Sequence, residues 1–246
     1  MTGGLPDAIN RFINYRNIFN IRKIQSDIYD YYGDNASKYD KDHKLKIKRI
    51  YDLIPSNLED KKKRVVVKNI ENIKGKRFSN YQDEFDFLIN SGIALEVKAI
   101  STPVFPLIES SGKNLLKLYL NDVGLLSNIL YKTNIKAILN DEKSINLGTV
   151  YESVVASELK AHGHNLFYYD NKANGEVDFL IDDYDTLSFL PLEIKSGKNY
   201  TIHSAINKFL SNKSYNVKQG IVLSNEQKIF EKNNILYLPI YFVMFL

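Results

Sequence analysis

Apolar residues in the first half of the chain recur at helical spacing. Ile47, Ile50, Tyr51 and Ile54 fall at i, i+3, i+4 and i+7, which puts them on one face of a helix. Pro55 is expected to stop that helix, because it lacks an N–H and its ring clashes with the preceding turn. Ser56 then caps a next helix, which carries Lys61-Lys62-Lys63-Arg64. Tyr81, Phe85, Leu88 and Ile89 mark a further helix over about 80–91, with Gly92 as its terminator. The period then changes. Residues 94–100 read as extended, and 115–120 alternate Leu115, Lys117 and Tyr119 against Leu116, Leu118 and Leu120. Helices followed by a two-stranded ribbon outline a winged helix. A short helix follows over about 122–131.

The second half has a different rhythm. A helix over 149–161 precedes strands at 166–169, 177–181 and 189–195. A helix over about 201–210 comes next, then strands near 220–223 and 235–245. The order α-β-β-β-α-β-β describes a mixed sheet flanked by helices, an α/β arrangement. We therefore expect two domains: a mostly helical, winged-helix-like segment over 1–145 and an α/β domain over 146–246. The apolar stretch from Ile235 to Leu246 is twelve residues long, short of the ~20 needed to span a bilayer, and reads as a buried terminal strand. Polar and charged residues are spread through the first twenty positions, so no signal-peptide apolar stretch is expected. A cytoplasmic protein without membrane contact is the expectation. The chain has no cysteine, which excludes a disulfide framework, a thiolate zinc site and a cysteine nucleophile.

Charge changes the picture in one place. The formal net charge is only +4, yet residues 38–77 hold 14 basic and 6 acidic side chains. Such a stripe, with Lys61, Lys62, Lys63 and Arg64 at its centre, can hold a phosphate backbone through counterion release. The alternative is a set of solvated helix faces.

The candidate chemistry lies in Glu176-Val-Asp178-Phe-Leu-Ile181 and Leu192-Glu193-Ile194-Lys195-Ser196-Gly197. Side chains alternate along a strand, so Val177, Phe179 and Ile181 share one face and Asp178 takes the other. If the two strands pair with their apolar faces together, Asp178, Glu193 and Lys195 converge. Two neighbouring carboxylates repel, and a hard divalent cation relieves the repulsion. A nearby lysine can orient water and offset phosphate charge. The other reading of Glu193 and Lys195 is a same-face ion pair of little energetic weight. Asp86-Phe-Leu-Ile before Leu95-Glu96-Val97-Lys98 nearly repeats the wording, but Asp86 falls in a helical pattern. Glu152 also has two readings: partner to Thr149 in a capping box, or a further acid facing the Asp178/Glu193 site. His162 and His164 read as a polar helix end. There is no P-loop and no nucleophile elbow, so no ATP site is evident in this chain.

Five ordered segments carry a resemblance: Gly3-Gly4-Leu5-Pro6, Leu118-Tyr119-Leu120-Asn121-Asp122-Val123-Gly124-Leu125-Leu126, Gly148-Thr-Val-Tyr-Glu152, Glu176-Val-Asp178-Phe, and Leu192-Glu193-Ile194-Lys195-Ser196-Gly197. Together they resemble the C-terminal part of a bacterial and archaeal AAA-type ATPase family, without its ATPase module. In that family a winged-helix-like segment precedes a domain similar to the PD-(D/E)XK, restriction-endonuclease-like fold. The resemblance implies a DNA-binding, Mg²⁺- or Mn²⁺-dependent phosphodiester hydrolase. Asp178, Glu193 and the Ile194 carbonyl would hold the metal, Lys195 would position water, and Glu152 would hold a second ion or orient a ligand. It also implies a separate ATPase module as partner. The competing expectation is a non-catalytic module that binds nucleic acid or protein.

Overall fold

The amphipathic first half folds as a series of helices. α1 (Pro6–Tyr15) begins at a proline, where a missing N–H costs nothing. α2 (Ile18–Ala36), α3 (Lys44–Glu59), the single turn α4 (Lys68–Glu71) and α5 (Gln82–Asn90) follow. The computed structural model describes residues 1–36, 44–111, 115–132, 134–140, 142, 145, 147–197, 200–201 and 203–246, so Lys38 and Lys41 of the basic stripe lie outside it.

In α3 the expected face is buried: Ile47, Ile50, Tyr51 and Ile54 are at most 2% exposed. Pro55 does not end the helix, which runs one turn further to Glu59. Leu58 on that extra turn is fully buried, so packing outweighs the lost backbone bond. Ser56 accordingly lies inside the helix, and its hydroxyl donates to the Leu53 carbonyl at 3.0 Å. Lys61–Arg64 form no helix. They make a turn and an irregular stretch after α3, with Lys63 in the left-handed region and Lys61 and Lys62 exposed.

After α5 the chain extends into β1 (Ala94–Ile100), returns as β2 (Leu116–Leu120), and enters α6 (Val123–Tyr131) and α7 (Ile135–Leu139). α8 (Gly148–Ala161), β3 (Phe167–Asn171), β4 (Gly175–Asp183), β5 (Ser188–Lys195), α9 (Ser204–Leu210), β6 (Gly220–Ser224), β7 (Phe230–Lys232) and β8 (Ile235–Pro239) complete it. The strands form a mixed sheet in the order β2-β1-β3-β4-β5-β6-β8-β7. β1/β3, β5/β6 and β6/β8 are parallel, and β3/β4, β4/β5 and β7/β8 antiparallel. The fold is thus α/β, a helical N-terminal region followed by a mixed sheet flanked by helices. The two strands read as a ribbon lie at one end of this sheet, β2 at its edge and β1 between β2 and β3.

Two compact units divide the chain: Met1–Glu96 with Lys117–Ile145, and Val97–Leu116 with Asn146–Leu246. In the second, Lys98, Ala99 and Ile100 of β1 pair with Phe167, Tyr168 and Tyr169. Its core gathers Val177 and Leu180 of β4, Phe189 of β5, Val222 of β6 and Tyr237 of β8 under Ile206 and Phe209 of α9. The terminal strand is shorter than its apolar run: β8 stops at Pro239, which cannot donate to a ladder, and Ile240–Phe245 coil into a 3₁₀ segment. Among the described residues, no helix is long and apolar enough to cross a membrane.

In the first unit, Asp122 caps α6 by accepting the Leu125 amide at 3.1 Å, and it also accepts the Gly4 amide. Gly3 sits at φ +69°, and a Cβ there would lie 2.2 Å from the Asp122 carboxylate. At Gly124 a Cβ would lie 2.4 Å from the Gln25 amide nitrogen and 2.9 Å from the Thr2 carbonyl. These close approaches require glycine.

Candidate functional site

β4 and β5 pair from Phe179 opposite Leu192 to Asp183 opposite Ser188. Along its other edge, β4 places Leu180 opposite Phe167 and Val177 opposite Tyr169. Asp178 and Phe179 therefore face the single residue Tyr168, which is a β-bulge. Strict alternation would separate Val177 from Leu180, but the bulge brings both into one buried cluster. At the bulge, where β4 and β5 part, the half-buried Asp178 accepts the Ile194 amide through Oδ2 at 2.8 Å.

Glu193 is opposite Val222, Val222 opposite Tyr237, and Tyr237 opposite Phe230. Residues opposite one another share a face, so a carboxylate stands at the end of an apolar row. Glu193 is only 7% exposed. Its Oε1 accepts the Lys195 ammonium at 2.7 Å. Its Oε2 is buried and has no hydrogen-bond partner among the described residues. Burial pushes the Glu193 carboxyl up to about 8, and the neighbouring Asp178 charge adds to this. Lys195 pulls the other way, and Glu152 raises it further. Burial works against the Lys195 ammonium, but Glu193, Asp178 and Glu152 hold its pKa above the usual lysine value. The ion pair is thus half-buried.

Glu152 does not belong to a capping box. α8 starts at Gly148 with Leu147 as N-cap and no side-chain cap, so Thr149 is already helical. Glu152 is 4% exposed, and its charge acts on both Glu193 and Lys195. The structure therefore brings Glu152, Asp178, Glu193 and Lys195 into one electrostatic cluster. Among the described residues, no group of three or more His, Asp or Glu side chains is placed to hold a metal ion. The near-repeat separates as its pattern predicts: Asp86 is on α5, where the Gln82 amide donates to it at 2.9 Å.

One neighbour escaped the sequence reading. His203, at the N-terminus of α9, is 5% exposed, and its Nε2 lies 2.7 Å from the Tyr237 hydroxyl. Burial holds its pKa below the usual histidine value, and the Lys195 charge adds to this. Tyr237 shares the Glu193 row only because β8 lies next to β6, a fact of sheet order that spacing does not carry.

Residues 1–136 match the family described as Domain of unknown function (DUF8612), and residues 147–243 match Domain of unknown function (DUF4143). The first match covers more than half of the chain, which therefore belongs to that family. No curated protein matches the chain, and no solved structure does.

Proposed function

We propose that this chain is a nucleic-acid-binding protein, with DNA as its substrate, that carries a nuclease-like, Mg²⁺-dependent phosphodiester hydrolase site. The single observation that supports this most is the orphaned Glu193 Oε2, buried beside a second carboxylate. An apolar fold has little use for such an atom, and a hard cation satisfies it. The donor set suits Mg²⁺ or Mn²⁺, which commonly take one or two carboxylates with the remaining positions left to water and phosphate oxygens. Asp178 and Glu193 would hold the ion with the Ile194 carbonyl. The ion, when bound, lowers the pKa of water and polarises a phosphoryl oxygen. Lys195 orients water and offsets phosphate charge beside Glu193. Glu152 holds a ligand or a second ion from α8. Asp178, tied to the Ile194 amide, keeps the end of β5 fixed against β4. The finer assignments go with this reading: a restriction-endonuclease-like second domain, a winged-helix-like first one, a cytoplasmic setting and an AAA-type ATPase module as partner.

A second reading has its own observation. Lys195 already neutralises Glu193 at 2.7 Å, as in a site that needs no ion. The chain would then be a non-catalytic module for nucleic acid or protein. Calorimetric titration with Mn²⁺, paired with a plasmid-nicking assay, separates the two. Binding that Asp178→Asn removes, with nicking lost in Lys195→Ala, supports the hydrolase. Equal Mn²⁺ binding by wild type and Asp178→Asn refutes it.

A further inference from the structure

The corner between α1 and α2 leaves two large aromatic rings in water. α1 ends at Tyr15 because Arg16 takes the left-handed region at φ 50°, where its amide donates to the Phe12 carbonyl at 2.8 Å. α2 begins at Ile18, and Asn17 Oδ1 accepts the Phe19 amide at 2.9 Å. Tyr15 is 59% exposed and Phe19 65%. Aromatic rings dominate the energetics of cores and interfaces, so two left open on one corner call for something that covers them.

Each ring stands between two hollows of this first unit. Tyr15 is shared by a hollow of about 370 Å³ and one of about 730 Å³, and Phe19 by the latter and one of about 530 Å³. Volumes in this range hold organic ligands, so a nucleobase fits each. Charge follows the same order. The first hollow holds Arg11 beside Asp7, the middle one Arg16 and Lys136 beside Glu142, and the third Lys23 and Lys132 beside Asp30. All of these side chains are exposed, and cations outnumber carboxylates among them. Asp7 also lies in the first turn of α1, where a carboxylate complements the helix dipole. Arg22 takes no part: it is 7% exposed, and its Nη1 donates to Ser127 Oγ of α6 at 3.0 Å.

The Arg11 guanidinium lies 5.1 Å from the centre of the Tyr15 ring, so two planes that stack on bases are held together. Asn10 and Asn14 line the first hollow and Asn17 and Asn134 the middle one. Their amides both donate and accept, as base edges do. A peptide helix docks through a continuous apolar stripe, but this surface is broken into hollows by its rings. A duplex has its bases stacked already and gains nothing from exposed rings. A single strand, with free base faces and a charge on every nucleotide, matches both features.

We infer that this face of the first unit binds a single strand of DNA, with bases stacked against Tyr15 and Phe19 and phosphates on the exposed cations of the three hollows. The choice of DNA rests on the proposed function. The surface itself belongs to the other unit and needs neither a metal nor the Glu193 site.

Fluorescence anisotropy of the full chain with a labelled oligo(dT) of about twelve nucleotides, at low salt in EDTA, tests it. Phe19→Ala should weaken binding at least roughly fivefold, and Tyr15→Ala likewise, while Tyr15→Phe retains it. Phe19→Leu keeps an apolar side chain but no ring and should bind as weakly as Phe19→Ala. Binding of a duplex of the same length should not change in any of these variants. Unchanged circular dichroism confirms that each is folded, as substitution at an exposed position leads one to expect. Lys132→Gln/Lys136→Gln, which leaves both rings in place, should flatten the log–log salt dependence by about 0.7 per lost phosphate contact. Absence of oligo(dT) binding at hundred-micromolar protein overturns the proposal, as does equal affinity of wild type and Phe19→Ala. Wild-type affinity in Phe19→Leu overturns stacking, and tighter binding of oligo(U) overturns DNA as the ligand. Ring-dependent oligo(dT) binding without plasmid nicking supports this inference and refutes the hydrolase alone; nicking without ring-dependent binding overturns this inference alone.

Discussion

Glu193→Gln isolates the buried carboxyl group from the rest of the site. Glutamine has the same size and keeps an oxygen for Lys195, but it cannot ionise. In the folded protein burial raises the Glu193 pKa from its ordinary 4.5 to about 8. At pH values below about 4.5 the group is protonated in both folded and unfolded chains, and its stabilising proton uptake is fully present. Between those two pKa values the unfolded chain loses the proton and the folded chain keeps it. Wild-type stability therefore falls as pH rises, by up to ~1.4 kcal/mol per pH unit, and the loss is complete once pH passes the folded pKa. Across the interval this amounts to a few kcal/mol, at most about 5. Glutamine lacks this term. The difference in unfolding free energy between variant and wild type should move in the variant's favour by a few kcal/mol from about pH 5 to about pH 9. Loss of the Lys195 ion pair shifts the variant's curve downward without reversing that trend. Urea denaturation followed by circular dichroism, with both proteins at each pH, measures the difference, because titrations common to both cancel. Parallel stability curves across this range would refute the reasoning, since they would mean that Glu193 ionises like a surface carboxylate.

Asp178→Asn keeps an oxygen for the Ile194 amide and removes one of the charges that raise Glu193. The Glu193 pKa should fall toward the ordinary range in a carboxyl-carbon NMR titration, and an unmoved pKa would show that Asp178 does not act on it. Gly124→Ala inserts a methyl 2.9 Å from the Thr2 carbonyl. It should destabilise by about 1–3 kcal/mol in urea denaturation despite alanine's better helix propensity; a gain in stability would refute the close approach. Replacing Lys61, Lys62, Lys63 and Arg64 together with glutamine should flatten the log–log salt dependence of DNA binding by about 0.9 per lost phosphate contact. An unchanged slope would assign the cluster to solvated surface.

Periodicity reached the helices and strands because each buries one face or two. The face of α3, the range of β1 and, to within one residue, that of β5 follow from it directly, whereas β4 extends two residues beyond the expected 177–181 at each end. It failed where tertiary packing decides. Pro55 stays helical because Leu58, one turn on, is worth burying. Lys61–Arg64 lack any apolar periodicity and were placed on a helix by the Ser56 cap alone, which the continuing α3 removes. The capping-box spacing of Thr149 and Glu152 also occurs inside a helix, so the pattern could not say where α8 begins. At the site, Glu193 and Lys195 were legible from period 2. The bulge at Asp178 was not, because an extra residue shows only against the register of β3. Arg22 was invisible too: one arginine in an amphipathic helix looks like any surface cation until α6 packs over it.

The segments behind the family resemblance divide by physical role. Gly3-Gly4 and the stretch around Asp122 and Gly124 meet in one hydrogen-bonded knot, where small residues permit close backbone approach and a carboxylate caps α6. Every polar group of Asp122 named here has a partner, so packing accounts for that spacing without a ligand. Glu193 behaves otherwise, with its buried Oε2 unsatisfied among the described residues. Val222, beside Glu193 in the same row, shows what the position accepts when only packing counts: a fully buried apolar side chain. An apolar residue of similar volume in place of a buried ion pair is commonly neutral or stabilising by about 1–4 kcal/mol. A carboxyl held there with one oxygen unsatisfied among the described residues and its pKa raised to about 8 is a net cost to the fold. Perturbed acids of this kind cluster where charge is to be met from outside. The expense falls on Glu193, which the hydrolase reading requires, and the satisfied network around Asp122 falls on residues it does not.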